Sequence, residues 1–191
     1  MVPLRTTGVN TMIEIDAKPK ERGFSLTELI MLLLISAILL AISVPLLGSA
    51  MHSMQLISDA RSIATTMGYS KLAAASQMTR YQLTFDMTNN EWRLLRRNSS
   101  GTYVLQNDVN RLSSGMSNSG ISFKSTSPTG TAPSGFPTTS STAITIDSRG
   151  IPREGASIVY ISDNSRNYAI SMSVGGKAQV WRYRDSQWVA Q

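Results

Sequence analysis

Apolar residues are concentrated near the start of the chain, and Ser, Thr, Gly and Asn near its end. Between Phe24 and Leu47 the only charged residue is Glu28. As a helix, these 24 residues would extend over roughly 36 Å, which is enough to cross the hydrocarbon core of a bilayer. The pattern therefore predicts a membrane-spanning helix. A carboxylate inside such a helix is costly, so Glu28 needs a partner.

A second, amphipathic helix is predicted over residues 48–79. Its apolar residues recur mostly every three or four positions, which is the spacing of one helix face packed on a sheet. These residues are Met54, Ile57, Ala64, Met67, Leu72, Ala75 and Met78. Asp59, Arg61 and Lys71 lie among polar neighbours and are predicted to form a solvated face. Pro45 and the nearby Gly48 predict a kink or a locally melted segment between the two halves.

Residues 80–191 are predicted to form a β-rich domain. An alternating stretch, a turn at 88–90 and a returning stretch indicate a hairpin over residues 81–95. A later block of short apolar stretches separated by turns predicts four more antiparallel strands, at 143–146, 157–161, 168–172 and 179–183. Between these blocks, residues 113–142 are rich in Ser, Thr, Gly and Pro and are predicted to form a long mobile loop, with one strand near Ile121. The fold class is therefore α+β, with a long amino-terminal helix packed on an antiparallel sheet domain.

Residues 1–23 form a hydrophilic leader. Its four basic and three acidic residues give a net charge of 4 − 3 = +1, and the basic residues cluster beside the apolar run. The positive-inside rule then keeps the leader in the cytoplasm and places residues 48–191 on the other side of the membrane. A secretory signal peptide is a poor match, because its apolar core is shorter and its small cleavage-site residues follow that core. The hydropathy of the segment, taken by itself, also fits a plain membrane anchor.

Composition removes several classes of chemistry. The chain has a formal charge of +6, which permits contact with nucleic acid or anionic lipid without requiring it. It contains no cysteine, so disulfides, thiolate metal sites and cysteine nucleophiles are excluded. His52 is the only histidine, and no phosphate-binding glycine loop or nucleophile elbow is present. These observations predict a non-enzymatic protein without a cofactor or metal.

The boundary between leader and apolar run carries a specific motif. Gly23-Phe24-Ser25-Leu26-Thr27-Glu28 resembles the cleavage and methylation motif of type IV prepilins and type II secretion pseudopilins. In that family a membrane peptidase cuts after the glycine and methylates the new amino terminus. The resemblance implies cleavage between Gly23 and Phe24, N-methylation of Phe24, and Glu28 as the fifth mature residue. Two features depart from the family pattern. Thr27 stands where the family usually has an apolar residue, and the leader is longer than usual.

The resemblance also implies a partner for Glu28. Cleavage exposes a cationic amine at Phe24, and in a filament the amine of a neighbouring subunit can offset the desolvation of the Glu28 carboxylate. The implied partners are the prepilin peptidase, other pilins or pseudopilins, and an inner-membrane assembly platform. The implied location is the bacterial inner membrane and then the filament. A carboxylate that reaches the headgroups from the cytoplasmic end of the helix is the alternative.

The β-domain resembles the subfamily of pseudopilin H and the FimT-like minor pilins, through "ITIDSRG" and "ISMSVGGKAQVW". This resemblance implies a low-copy minor subunit near the tip of a type II secretion pseudopilus or a type IV pilus. FimT-like pilins also suggest DNA binding, with Lys177, Arg182 and Arg184 as the matching cations. Trp181 and Tyr183 either stack on bases or, as alternate residues of one strand, cover the core while the arginines stay in water.

Overall fold

The computed structural model describes residues 24–106, 108–113, 120–163 and 165–191, and only the backbone of 44–50 and 52. One helix, α1, extends from Leu26 to Ser76. Ten strands follow: β1 (Tyr81–Asp86), β2 (Glu91–Arg97), β3 (Tyr103–Leu105), β4 (Asn110–Arg111), β5 (Ser122–Lys124), β6 (Ala143–Ile146), β7 (Ser157–Ser162), β8 (Asn167–Met172), β9 (Ala178–Arg184) and β10 (Gln187–Ala190). The α+β class is thus confirmed. The chain divides into two compact units, Met1–Ser43 and Val44–Gln191.

In the first unit, the described chain is almost entirely helix. Leu26–Ser43 has a mean hydropathy of 2.5 and buries none of its residues, so by length and composition it can cross a membrane. Helical backbone continues through Pro45, so no melted segment is present there. The kink at Pro45 stays a prediction.

In the second unit, α1 packs on the β-domain through a different face from the predicted one. Of the predicted stripe, Met67 is fully buried, and Ile57 and Ala64 pack at the edge of the core. The other members, however, are exposed: Met54, Leu72, Ala75 and Met78. The buried stripe consists of Leu56, Ala60, Ile63, Met67, Ala73 and Ala74. Intervals of three or four residues are the commonest in both sets, so helical periodicity alone does not distinguish them.

The strands form two antiparallel sheets. The first has the order β3-β2-β1-β6, with β4 also paired to β2, and the second has the order β10-β9-β8-β7-β5. The predicted hairpin is β1 and β2, with Tyr81 opposite Arg96. The sequence grouped residues 143–146 with the later strands, which is wrong, because β6 pairs with β1. Strands β3, β4 and β10 were not predicted.

The second sheet is covered on both faces. One face joins the main core with α1, through residues such as Val159 and Ile170. The other face carries a smaller apolar cluster, the outer cluster: Ile158, Tyr160, Ala169, Ala132, Phe136, Trp181 and Trp188. Every residue of β7 is therefore buried.

The serine- and proline-rich segment supplies part of that outer cluster. It contains β5, close to the strand expected near Ile121, and its later residues lie against the second sheet. The Tyr160 hydroxyl donates to the Pro137 carbonyl at 2.8 Å, and the Ser127 amide donates to the Thr138 carbonyl at 2.6 Å. The mobility expected of residues 113–142 stays a prediction, and positions 114–119 lie outside the described residues.

Two glycine turns hold α1 against the β-domain. Lys71 passes between them, and its Nζ donates to the Gly175 carbonyl at 3.0 Å. A Cβ on Gly150 would lie 2.9 Å from Lys71 Cγ, and a Cβ on Gly176 would lie 2.6 Å from the Gly150 carbonyl oxygen. Lys71 is therefore half-buried in a junction, and not part of the solvated face that its polar neighbours predicted.

Candidate assembly site and candidate nucleic-acid interface

The amino-terminal motif lies at the start of α1. Gly23, the predicted cleavage residue, lies outside the described residues, whereas Phe24 is 72% exposed and lies two residues before the first residue of the helix. The Ser25 carbonyl accepts the amides of Glu28 at 3.0 Å and Leu29 at 3.2 Å, so α1 begins immediately after Ser25. The predicted cut thus falls just before the start of α1, on the amino-terminal side of the exposed Phe24.

Glu28 occupies a position that favours the start of a helix, which the sequence reasoning missed. Ser25 stands at the N-cap position of α1 and Glu28 three residues later, which is the sequence pattern of a capping box, while the Ser25 hydroxyl hydrogen-bonds to the Thr27 hydroxyl at 2.6 Å. A carboxylate in the first turn also faces the positive end of the helix dipole. The residue type at position 28 is therefore favoured by helix initiation as well as by any intersubunit pairing, and an experiment must separate the two.

The side chains around Glu28 are uncovered. The large apolar residues of the span are each at least half exposed, among them Leu29, Met31 and Leu33. Glu28 is itself exposed, and within the described part of the chain no cation forms an ion pair with it. This segment therefore presents an apolar surface with a single acid.

The three candidate DNA-binding cations are not gathered in one place. Lys177 is exposed in the turn that precedes β9, while Arg182 and Arg184 lie within that strand. At about 3.3 Å per residue, Lys177 is roughly 17 Å along the chain from Arg182. Arg184 forms an ion pair with Asp185 at 3.2 Å, and both side chains are exposed.

The two neighbouring aromatic residues belong to the outer face of the second sheet. Trp181 donates its Nε1 hydrogen to the Ser171 hydroxyl at 2.8 Å and meets Phe136 edge to face at 6.2 Å. Tyr183 contacts Trp188 with ring centroids 5.2 Å apart. Trp181 is thus engaged in packing, in an outer cluster that the sequence did not predict, on the opposite face from the main core.

Asp59 is a further residue that the sequence misplaced. It is buried, and its carboxylate accepts the Ser113 amide at 2.7 Å and the Ser113 hydroxyl at 2.9 Å. Burial raises the pKa of Asp59, and the two hydrogen bonds oppose that rise. Its position three residues after Leu56 and one before Ala60 puts it on the buried stripe, so the correct helix face would have revealed it.

Within the described ranges, no three His, Asp or Glu side chains are grouped as a metal site requires. The absence of a cofactor stays a prediction.

No family model matches the chain, and no curated protein matches it. Among solved structures, it is similar to the type IV minor pilin FimU of Pseudomonas aeruginosa, with 15% identity over 70% of this chain and 92% of that one, at a TM-score of 0.47. It is also similar to the minor pseudopilin EpsH from the type 2 secretion system of Vibrio cholerae, with 12% identity over 71% and 97%, at a TM-score of 0.45. These values are too low to assign the chain to a family.

Proposed function

We propose that the chain is a minor pilin-type subunit, made as a precursor with a leader of residues 1–23. A prepilin peptidase cuts between Gly23 and Phe24 and methylates Phe24. The mature chain is held in the inner membrane by α1, with residues 48–191 on the periplasmic side, until the assembly platform adds it to a filament. It is not an enzyme.

The observation that carries this proposal is the prepilin-like motif at the start of a helix that nothing in the described chain covers. Such a long apolar surface does not remain in water, so it requires lipid or other apolar helices. A filament subunit needs both, first as a membrane anchor and then as part of a helical stack. The second half of the same helix packs on its own β-domain through Leu56, Ile63 and Met67, as a subunit head requires.

Cleavage is tested with the Gly23→Val precursor expressed beside its cognate peptidase. A residue without a side chain is required at the cut, so the variant keeps its full mass, whereas the wild-type chain loses 1–23 and gains a methyl group. Wild-type chain made without the peptidase is the size control. Loss of residues 1–23 from both chains, or from neither, in cells that contain the peptidase refutes the proposal.

Assembly is tested at Glu28 with variants that separate charge from helix capping. Glu28→Gln retains a side chain suited to the capping box but removes the charge, and Glu28→Asp keeps the charge on a shorter side chain. If Glu28 pairs with a neighbour's amine, Glu28→Gln inserts in the membrane but is lost from filaments. Filament content of Glu28→Gln equal to that of the wild type excludes the pairing and leaves capping as the role of Glu28.

We further propose a low-copy position near the filament tip, in a type II secretion pseudopilus or a type IV pilus, where the subunit assists assembly and secretion. The sequence resemblance to pseudopilin H and FimT-like minor pilins supports this rank. A major subunit must repeat one self-complementary surface along the whole filament. Counting the copies of this chain in isolated filaments tests the rank, and a dominant band for it contradicts the proposal.

A further inference from the structure

Two arginines face each other where the β1–β2 hairpin opens. The register that places Tyr81 opposite Arg96 continues outward, and the Arg97 amide donates to the Arg80 carbonyl at 2.9 Å. Arg80 therefore stands directly opposite Arg97, and residues in such a pair have Cβ atoms about 4.5–5.5 Å apart. Their side chains lie on the same side of the sheet.

This pair is unfavourable as it stands. Like charges directly opposite each other destabilise a pair of strands. Both arginines are half-buried, and neither forms an ion pair with an acid in the described part of the chain. By contrast, Glu91 at the other end of β2 is flanked by Arg93 at 3.0 Å and Arg111 at 2.6 Å. Glu91 thus supplies a counter-charge at that end of β2, whereas no acid among the described residues forms an ion pair with Arg80 or Arg97.

One of the two guanidinium groups is fixed in place. Arg97 Nε donates to the Gly101 carbonyl at 3.1 Å, and a Cβ on Gly101 would lie 3.1 Å from Arg97 Nη2. Gly101 has a φ of +85°, which lets the turn close over the guanidinium. A donor group held in one orientation loses less entropy when it binds a ligand.

The arginines line an open cavity of about 270 Å³. Its other lining residues include Asn98, Ser99 and Ser148, which supply hydroxyl and amide groups. Ser99 and Ser148 are exposed, so the cavity is accessible from solvent.

We propose that this cavity, the Arg80–Arg97 pocket, binds a phosphate group. Two guanidinium groups can offset the negative charge of a phosphate, which is about −1.5 to −2 for a monoester and about −1 for a nucleic-acid diester, and each guanidinium can donate two parallel hydrogen bonds to its oxygens. The surrounding hydroxyls can donate to the phosphate oxygens that remain. A carboxylate has no such additional oxygens. The proposal goes beyond filament assembly and does not depend on it. The phosphate belongs either to free phosphate or to a nucleic-acid backbone.

A different role would also place cations here. The cavity includes Met78 and Thr79, just beyond the end of α1, whose last turn contains no basic residue. Cations at that end offset the negative pole of the helix dipole. In that case, replacing the arginines lowers stability, but phosphate has no specific effect.

The test uses the full chain in neutral detergent, with thermal unfolding followed by tryptophan fluorescence. Sodium phosphate is titrated against sodium acetate and sodium chloride at equal ionic strength. The variants are Arg80→Gln/Arg97→Gln and, as matched control, Arg61→Gln/Arg153→Gln, which replaces two exposed arginines outside the pocket lining. A second pair of variants keeps the test valid if the first double variant does not fold. Ser148→Glu places an acid at the pocket, and its control, Ser134→Glu, places an acid on an exposed loop elsewhere.

Phosphate is expected to raise the unfolding temperature of the wild type and of both controls, and to lose that effect in Arg80→Gln/Arg97→Gln and in Ser148→Glu. A labelled single-stranded 12-mer identifies the source of the phosphate. If the ligand is a nucleic-acid strand, loss of two contacts weakens 12-mer binding at least tenfold and lowers its salt slope by about 1.4. If only inorganic phosphate acts, the ligand is free phosphate. An equal effect of acetate, or equal phosphate effects in pocket and control variants, overturns the proposal.

Discussion

Replacing Gly176 by alanine tests the junction between α1 and the β-domain. The added Cβ would lie 2.6 Å from the Gly150 carbonyl oxygen, 3.1 Å from Lys71 Cδ and 3.3 Å from Lys71 Cε. The lysine side chain can yield, but the carbonyl belongs to the backbone of the neighbouring turn. Gly176 also has a φ of +73°, which disfavours any residue with a Cβ.

The magnitude follows from two separable costs. A left-handed backbone costs alanine about 1–2 kcal/mol, and forcing a methyl group into filled space costs about 1–3 kcal/mol. We therefore expect Gly176→Ala to lower the free energy of unfolding by about 2–5 kcal/mol. At about 2–4 °C per kcal/mol for a chain of this size, the unfolding temperature falls by about 4–20 °C.

Two other glycines provide matched controls. A Cβ on Gly175 meets nothing within 4 Å and the residue has an ordinary φ, so Gly175→Ala is expected to be neutral or slightly stabilising. Gly155 has a φ of +85° but open space around it, so Gly155→Ala isolates the backbone cost of about 1–2 kcal/mol. The assay is urea unfolding of the full chain in detergent. Equal stability of Gly176→Ala and Gly155→Ala would show that the two turns do not touch as described.

Two further predictions concern Asp59 and the candidate DNA-binding cations. Burial raises the pKa of Asp59 from its ordinary value of 3.8, so the stability that this residue contributes is fully present below pH 3.8 and is lost as the pH rises through the folded-state pKa. Asp59→Asn is expected to remove this loss of stability with rising pH in urea unfolding. An unchanged loss in the variant refutes the assignment. If Lys177, Arg182 and Arg184 contact DNA, the separation of Lys177 predicts that Lys177→Ala and Arg182→Ala/Arg184→Ala weaken binding additively in a salt-dependent mobility shift; a triple variant that binds like the wild type excludes that interface.

Strand positions could be predicted because their pattern is local. Alternation in Tyr81–Asp86 and the turn after it specify a hairpin without reference to the rest of the chain. The missed strands lack that signal: β3 and β4 have three and two residues, and β10 is mostly exposed, as expected at a sheet edge. The place of β6 in the first sheet depends on its pairing with β1, a long-range choice that a local pattern does not contain.

The helix face could not be predicted for a related reason. Two apolar stripes with the same spacing lie on the second half of α1, and only the contacts made by the sheets show which one is buried. Asp59 and Lys71 were assigned to the solvated face because their neighbours in the sequence are polar. The correct choice of helix face would have placed both differently. Likewise, Phe136 stands in a segment of small polar residues, where nothing local indicates that it fills the outer cluster.

The two halves of α1 have different surroundings, one uncovered and one packed on the strands. A mutation in each half therefore affects a different measurement. Residues 26–43 are apolar and bury nothing within the described chain, so a change there leaves the contacts of the β-domain intact and alters only what surrounds the helix. Residues such as Ile63 and Met67 are fully buried against the strands, and a change to alanine there costs about 2–5 kcal/mol of domain stability. Glu28→Gln should therefore leave urea unfolding of the β-domain unchanged while it abolishes filament incorporation. Met67→Ala should lower the stability of that domain, and any loss from filaments should follow from unfolding.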